Sequence, residues 1–180
     1  MKTRKPALLE SGALWDYAVK ILAGRAHSSG ELRVKLTRRA AKAGDVDDVL
    51  NRLKEFGYLN DRRFAENFAS ARLANEGLGQ TRVLSDLARR RVAPALARQT
   101  VKDVYADTEE LTLVEAFIRR KFRTVPKEAL FQTEKDLASA YRRLVRAGFR
   151  SGTVIGALKK FARDPDLLDG FEPPEEVPEE

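Results

Sequence analysis

Basic side chains at helical spacing are the residues of this sequence that could do chemistry, and that chemistry would be the binding of a negatively charged partner. On two predicted helices, a turn of about 100° per residue places a basic stripe opposite the apolar face. The stripes consist of Arg82, Ser85 and Arg89 on one helix, and of Lys135, Ser139, Arg142 and Arg146 on the other. A further cluster, "RRKFR", contains Arg119, Arg120, Lys121 and Arg123. Each stripe alone could be an ordinary solvated face, but its one-sided charge indicates a contact surface.

The charge distribution along the chain favours the same interpretation. The chain has 34 Lys and Arg against 27 Asp and Glu, a net charge of +7. Eight of these acids lie in residues 164–180, which contain no base, so the rest of the chain carries +15. Such a body attracts a polyanion or an acidic protein surface. The acidic, proline-containing tail 164–180 is predicted to be disordered, and residues 1–12 form a basic N-terminal extension.

Candidate catalytic and metal-binding groups are few. The chain has no cysteine and one histidine, His27, with no second ligand or nucleophile pattern beside it. It also lacks a Walker-type phosphate loop and a glycine-rich dinucleotide fingerprint. We therefore expect no enzyme activity, no catalytic residue, no metal and no cofactor. The lack of cysteine, of a signal peptide and of a membrane-length apolar run predicts a cytoplasmic protein.

The elements that position the basic stripes are predicted to be helices, because apolar residues recur at helical spacing along nearly the whole chain. The pattern also repeats, since Leu22 and Leu32 correspond to Leu73 and Val83, 51 residues later. A third copy follows, with a longer middle helix predicted from Pro126 to Ala147. The fold predicted is an all-α, elongated tandem array of three three-helix repeats. They cover 13–60, 61–107 and 108–163, with net charges of +3, +3 and +7.

The segment "GYLNDRRFA" (57–65) is predicted to be a rigid joint between the first two repeats. Gly57 can take the left-handed conformation that ends a helix, and Asn60 is a strong N-cap for the next helix. Leu59 and Phe64 stand at the positions of a hydrophobic staple. The residues of this structural joint are Gly57, Tyr58, Leu59, Asn60, Asp61, Arg63 and Phe64. A binding role for the two arginines at 62 and 63 stays open.

Two further local patterns lead to structural expectations. In "HSSGELRVKL" (27–36), Ser28 is a good N-cap, and Glu31 at the third helical position completes a capping box. Trp15 and Phe56 lie at apolar helical positions, so both are expected to be buried.

An ordered set of these segments resembles the RecX family of bacterial recombination regulators. The segments are "HSSGELRVKL" (27–36), "VLNRLKEFGYLNDRRFAENFASARL" (49–73) and "YRRLVRAGFRSGTVIGALKKF" (141–161). The resemblance covers residues 13 to 161 in the expected order. Two features depart from the family pattern: Arg91 stands where the family usually has a turn glycine, and the acidic tail is additional. A non-glycine residue with positive φ costs about 1 kcal/mol, so this turn is expected to be reshaped.

The resemblance implies both a fold and a function. It implies a helical array that binds RecA along the groove of its filament on single-stranded DNA. Such binding would inhibit recombinase, ATPase and coprotease activities, and so modulate DNA repair and the SOS response. The partners implied are RecA and its filament, with single-stranded DNA possible, no membrane, and a monomeric state.

Two other classes of protein stay open at this point. The chain could be a plain nucleic-acid-binding protein with helix-turn-helix-like units, whose affinity would fall with salt. A helical nuclease or transferase would instead need carboxylates or histidines clustered in one cleft. The acids of this sequence lie mostly in helix caps, first turns and the tail, which argues against the enzyme.

Overall fold

The computed structural model describes residues 7–122, 131 and 133–162. Within these residues the chain forms nine α-helices and no β-strand, which confirms the predicted all-α fold. The helices are α1 Ser11–Gly24, α2 Ser29–Thr37, α3 Gly44–Glu55, α4 Asp61–Ala71, α5 Gln80–Arg89, α6 Pro94–Val104, α7 Glu110–Lys121, α8 Glu134–Arg146 and α9 Ser151–Phe161. A π-helical turn, Arg72–Glu76, continues α4.

The helices follow one another in threes, and the predicted repeat boundaries at 60/61 and 107/108 fall between helices. Packing divides the chain differently, into two compact units. The first compact unit consists of Met1–Ala69 with Asp86–Thr100, and the second of Ser70–Ser85 with Val101–Glu180. Helices α5 and α6 therefore contribute residues to both units.

The core of the first compact unit is built by α1, α2 and α3. Helix α3 shows how the sequence specifies it, because its apolar residues recur at three- and four-residue spacing and all become buried. These residues are Val46, Val49, Leu50 and Leu53. They pack with Leu14 and Ala18 of α1 and with Leu32 and Leu36 of α2. A single β-bridge between Leu9 and Ala40 adds the chain segment that precedes α1.

The core of the second compact unit is centred on α7, α8 and α9. Its fully buried side chains come from one face of each helix: Val114 and Ile118 of α7, Leu137 and Leu144 of α8, and Val154 and Leu158 of α9. The ring centroids of Phe117 and Phe149 lie 5.5 Å apart in an edge-to-face arrangement. This core fixes the orientation of α8, whose opposite face carries the second basic stripe.

The capping box predicted at the start of α2 is only half formed. The Ser28 hydroxyl accepts a hydrogen bond from the Glu31 backbone N–H at 3.0 Å, as an N-cap should. The Glu31 carboxylate does not return to Ser28, however, because it accepts from Arg90 at 3.0 Å and from Arg25 at 3.4 Å. Burial alone would raise the pKa of Glu31, but these two hydrogen bonds hold the pKa below its usual value. Half of the box is thus replaced by a contact to a residue 59 positions away.

The start of α8 corrects the predicted long helix. The prediction placed its beginning at Pro126, which lies outside the described residues, but α8 begins at Glu134. Thr133 has extended backbone angles and forms a complete capping box with Asp136, which fixes the helix start there. Phe131 has a positive φ of 57°, which is incompatible with one continuous helix through this point.

Arg91 keeps the backbone conformation that the usual glycine would take, so the expected reshaping of this turn is wrong. Its φ is 57°, in the left-handed region. Gly30 provides the space, since a Cβ built on Gly30 would lie 2.5 Å from the Arg91 Cβ. The side chain at 91 is therefore accommodated by the absence of a side chain at 30.

Candidate functional site

The outer face of α8 carries the predicted basic stripe. Lys135, Ser139, Arg142 and Arg146 are all exposed, whereas Leu137, Ala140, Tyr141 and Leu144 on the opposite face are buried. With a rise of about 1.5 Å per residue, the three cations are spread over about 16 Å along the helix. None of the three forms an ion pair with another described residue. We call these four residues the α8 stripe.

The orientation of the α8 stripe is fixed by contacts at the start and in the middle of the helix. The Asp136 backbone N–H donates to the Thr133 hydroxyl at 3.2 Å, which holds the N-terminus. The hydroxyls of Tyr141 and Ser151 lie 2.6 Å apart, which ties the middle of α8 to the first residue of α9. Arg143 points another way and lies over the ring of Phe122, with 4.9 Å between guanidinium carbon and ring centroid. The stripe is thus carried by a rigid element of the second compact unit.

The basic cluster at 119–123 is engaged within the second compact unit to a larger extent than the sequence suggested. Arg120 donates to the backbone carbonyl oxygens of Asn75, at 3.2 Å, and of Glu76. These carbonyls belong to the π-helical turn after α4, so Arg120 caps that turn. Lys121 is exposed, with its ammonium 5.9 Å from the ring centroid of Phe117. Arg123 lies outside the described residues.

Two carboxylates neutralise further bases of this unit. Glu115 accepts from Lys160 at 2.6 Å and from Arg119 at 3.0 Å, and these bases lower the pKa of Glu115. Glu110 accepts from Arg150 at 2.7 Å. Burial alone would raise the pKa of Glu110, but the bonds from Arg150 and Thr153 lower it. In the described part of the unit, Arg119, Arg150 and Lys160 thus pair with carboxylates, whereas the three bases of the α8 stripe form no ion pair with a described residue.

The first predicted stripe is divided between the two compact units. Arg82 belongs to the second unit and is half-buried, while Arg89 belongs to the first and is exposed. Both residues take part in interactions with other groups of the protein. Val83 and Leu87 are fully buried, as predicted for the inward face of α5. Arg82 and Arg89 stay candidates, but the geometry favours the α8 stripe as the centre of the site.

Gly57 and Asn60 of the joint at 57–65 have the local geometry predicted from their residue types. Gly57 has a φ of 71°, and Asn60 caps α4 by accepting from the Arg63 backbone N–H at 2.9 Å. Leu59 is buried, Tyr58 and Arg63 are exposed, and Phe64 is half-buried with its ring stacked on Phe68. Arg62 pairs with Glu66 one turn along the helix, at 2.8 Å.

Asp61 has a role that the sequence did not reveal. Its carboxylate accepts a hydrogen bond from the Ser29 backbone N–H at 2.6 Å, so it contacts the first turn of α2 as well as beginning α4. A carboxylate at a helix N-terminus also stabilises the helix dipole. Asp61 therefore connects two helix starts that are 32 residues apart. Ser29 lies in "HSSGEL" and Asp61 in "GYLND", and both segments had been singled out as helix starts. Considering the two segments together could have suggested this contact.

We predict that replacing Gly57 with valine will lower the free energy of unfolding by more than about 1 kcal/mol, because β-branched residues are disfavoured at positive φ. A Cβ at this position would meet no heavy atom within 4 Å, so the cost should come from the backbone alone. Urea unfolding followed by circular dichroism measures it. An unchanged midpoint would contradict the structural role of Gly57.

The described residues thus define an all-α protein of three-helix repeats with a basic stripe on one helix. No helix among them is long and apolar enough to span a membrane. Two family models match the chain: "RecX, first three-helix domain" at residues 15–53 and "RecX, second three-helix domain" at residues 60–101. The chain belongs to the RecX family, which confirms the resemblance inferred from its motifs.

Individual relatives support this assignment over most of the chain. The "Regulatory protein RecX" of Halorhodospira halophila is 37% identical over 151 residues, covering 82% of this chain and 87% of the relative. The protein of that name from Deinococcus radiodurans is 31% identical over 163 residues, covering 89% and 75%. The crystal structure of RecX from Lactobacillus salivarius has the same fold, with a TM-score of 0.65 at 15% identity, covering 84% of this chain and 96% of that chain.

Proposed function

We propose that this protein binds RecA and its filament on single-stranded DNA and inhibits the recombinase, ATPase and coprotease activities of RecA. In this way it modulates DNA repair and the SOS response in the bacterial cytoplasm. Membership in a family whose relatives are named as regulatory proteins carries the proposal. The α8 stripe supports it, because three exposed bases that form no ion pair with a described residue suit a contact with acidic side chains or phosphates.

A regulatory role without catalysis is part of the proposal. The described residues contain no group of three or more His, Cys, Asp or Glu side chains that could hold a metal ion. Carboxylates that an active site could have used are engaged elsewhere, since Glu31, Glu110 and Glu115 each accept from basic residues of the fold. His27 is buried and its Nδ1 lies 2.9 Å from the Arg25 carbonyl oxygen. Burial lowers the pKa of His27, which favours the neutral ring of a structural residue.

An ATPase assay tests the proposal directly. RecA is assembled on single-stranded DNA with ATP, and this protein is titrated from substoichiometric to equimolar amounts. We expect the rate of ATP hydrolysis to fall progressively, because the bound protein limits filament growth. Full ATPase activity at an equimolar ratio would contradict the proposal.

The α8 stripe also suits a second function, the direct binding of nucleic acid. In that case the protein would bind bare single-stranded DNA, with log affinity falling against log salt at a slope of about −0.7 per neutralised phosphate. Binding to bare DNA without inhibition of RecA would favour this function over the first.

The acidic tail provides a separate prediction about the basic body. Residues 164–180 lie outside the described residues, but their eight acids reduce a charge of +15 to +7. We expect a chain that ends at Arg163 to bind single-stranded DNA more tightly, and most clearly at low salt, where charges act over longer distances. Fluorescence anisotropy with a labelled oligonucleotide measures the difference. Equal affinity of both forms at low ionic strength would contradict competition by the tail.

A further inference from the structure

The first compact unit carries an exposed aromatic patch, formed by Trp15, Phe56, Tyr58 and Arg52. The ring centroid of Trp15 lies 5.8 Å from that of Phe56 and 6.4 Å from that of Tyr58. The Arg52 guanidinium carbon lies 4.5 Å from the centroid of Trp15. Phe56 is 63% exposed, so the expectation that it is buried is wrong, whereas Trp15 is half-buried and packs with part of its surface against the core of this unit. Tyr58 is 58% exposed.

The backbone of the joint holds these rings outside the core. Helix α3 ends at Glu55, and Gly57 turns the chain with its positive φ. The Leu59 backbone N–H then donates to the Leu53 carbonyl oxygen at 3.1 Å, and the Leu59 side chain enters the core. Leu59 therefore anchors the turn, while Phe56 and Tyr58 on either side of Gly57 stay at the surface. The core of this unit closes without them, so their exposure needs another explanation.

The charges beside the aromatic patch disfavour a nucleic acid as its partner. Helix α3, which carries Arg52 and leads into Phe56, has four acids and only two bases. Asp16 is the neighbour of Trp15 and is exposed. Single-stranded nucleic acids stack on aromatic rings within a positively charged groove, and a helix with a net charge of −2 does not supply one. The chemistry of the patch is instead apolar, with one cation that lies over a ring.

We infer that the aromatic patch is a docking surface for a protein that presents an apolar pocket. Trp, Tyr and Arg are the residues most enriched at the energetic centres of protein interfaces, and Trp and Tyr bury large areas with little loss of conformational freedom. The inference rests on the proposed function, under which the partner that docks on the patch is a RecA protomer. The aromatic patch is a different surface from the basic α8 stripe. The patch supplies apolar affinity, and the stripe supplies electrostatic attraction.

The test uses the full-length double variant Phe56→Ser/Tyr58→Ser, with Leu8→Ser as the control. Leu8 is 63% exposed in the same unit, so the control removes an exposed apolar side chain without touching the patch. Two quantities are measured for each protein: the concentration that halves RecA ATPase activity, and the affinity for a bare single-stranded oligonucleotide. We expect the double variant to require about tenfold more protein for half-inhibition, as for the loss of an interface hot spot. We expect its DNA affinity to match that of the parent and the control.

The salt dependence provides a second readout, which separates an apolar contact from an electrostatic one. We expect the tenfold factor to be similar at low and high salt, because apolar contacts are not screened. Inhibition by the double variant equal to that of the parent would overturn the inference and leave the proposed function intact. A parallel loss of DNA affinity would assign the patch to nucleic acid, and a parent dimer that the substitutions dissociate would assign it to a second copy. Both results overturn the inference, and a parent that never inhibits RecA overturns it together with the proposed function.

Discussion

Replacing Lys135, Arg142 and Arg146 with glutamate is expected to weaken inhibition of the RecA ATPase strongly while leaving the helical circular dichroism unchanged. The three side chains are exposed and form no ion pair with a described residue, so each substitution should change stability by about 0.5 kcal/mol or less. Binding should change far more, because each reversal both removes an attraction and adds a repulsion. At about 1 kcal/mol per reversed contact, the concentration for half-inhibition rises about 100-fold.

A matched control separates the α8 stripe from net charge. Lys20, Lys35 and Arg98 are exposed bases on α1, α2 and α6, and their replacement by glutamate changes the net charge by the same amount. We expect this control to inhibit RecA nearly as well as the parent. If both triple variants lose inhibition equally, only the overall charge matters. If the stripe variant inhibits like the parent, the contact surface lies elsewhere, with Arg82, Arg89 and Lys121 as the next candidates.

The basic residues differ in how far the sequence alone predicts their environment. Helical periodicity alone assigned Leu137 and Leu144 to the buried face of α8 and Arg142 to the exposed face, because burial on one face is a local property of an amphipathic helix. Arg120, like Arg142, was predicted to be a contact residue because it lies among other basic residues. Its guanidinium nevertheless binds carbonyls 44 and 45 residues earlier in the chain, and no local pattern contains that contact.

The same distinction applies to the caps. Gly57 and Asn60 behave as their types predict, because a left-handed cap and an N-cap involve only neighbouring residues. Glu31 had an equally good local pattern, but two arginines compete for its carboxylate, and one of them lies on another repeat. A bond to either partner is charge-assisted by the Glu31 carboxylate, but the guanidinium also carries a full positive charge that a neutral backbone N–H does not supply. The distant partner therefore overrides the local one.

Phe56 illustrates a different limit of sequence analysis. It continues the apolar spacing of α3, and its backbone N–H still donates to the Arg52 carbonyl oxygen, yet its side chain is exposed. Periodicity predicts the direction of a side chain at a helix end, but it does not show whether the core extends beneath that position. The sequence therefore did not reveal the aromatic patch.

The second large effect is expected from Gly148→Ala, at the turn between α8 and α9. Gly148 has a φ of 92°, so any side chain there is strained. A Cβ would also lie within 3.0 Å of the backbone nitrogen of Arg82 and of the carbonyl oxygen of Gly79. Backbone atoms cannot rotate away as a side chain can, and separating the segments would break the hydrogen bond from the Gly79 N–H to the Ala147 carbonyl oxygen, 2.8 Å long.

Strain, overpacking and a lost hydrogen bond together should cost about 3–4 kcal/mol. For a chain of this size the thermal midpoint should fall by roughly 10 °C. The matched control is Gly156→Ala, within α9, where a Cβ meets nothing within 4 Å. Alanine should stabilise that helix by about 0.5–1 kcal/mol, so the two alanine variants should move the midpoint in opposite directions.

Arg91 shows why the cost at Gly148 should come mainly from the close approach and not from φ alone. It has a left-handed conformation with a full side chain, and this is possible because a glycine, Gly30, stands opposite. Opposite Gly148 stands Arg82, whose own Cβ would be 2.5 Å from the new one, and no corresponding space exists. We therefore expect Gly148→Ala to destabilise the protein several times more than Gly57→Ala, where φ is also positive but the surroundings are open. Equal midpoints for these two variants in thermal unfolding would show that the turn can move away from α5, and that φ alone sets the cost.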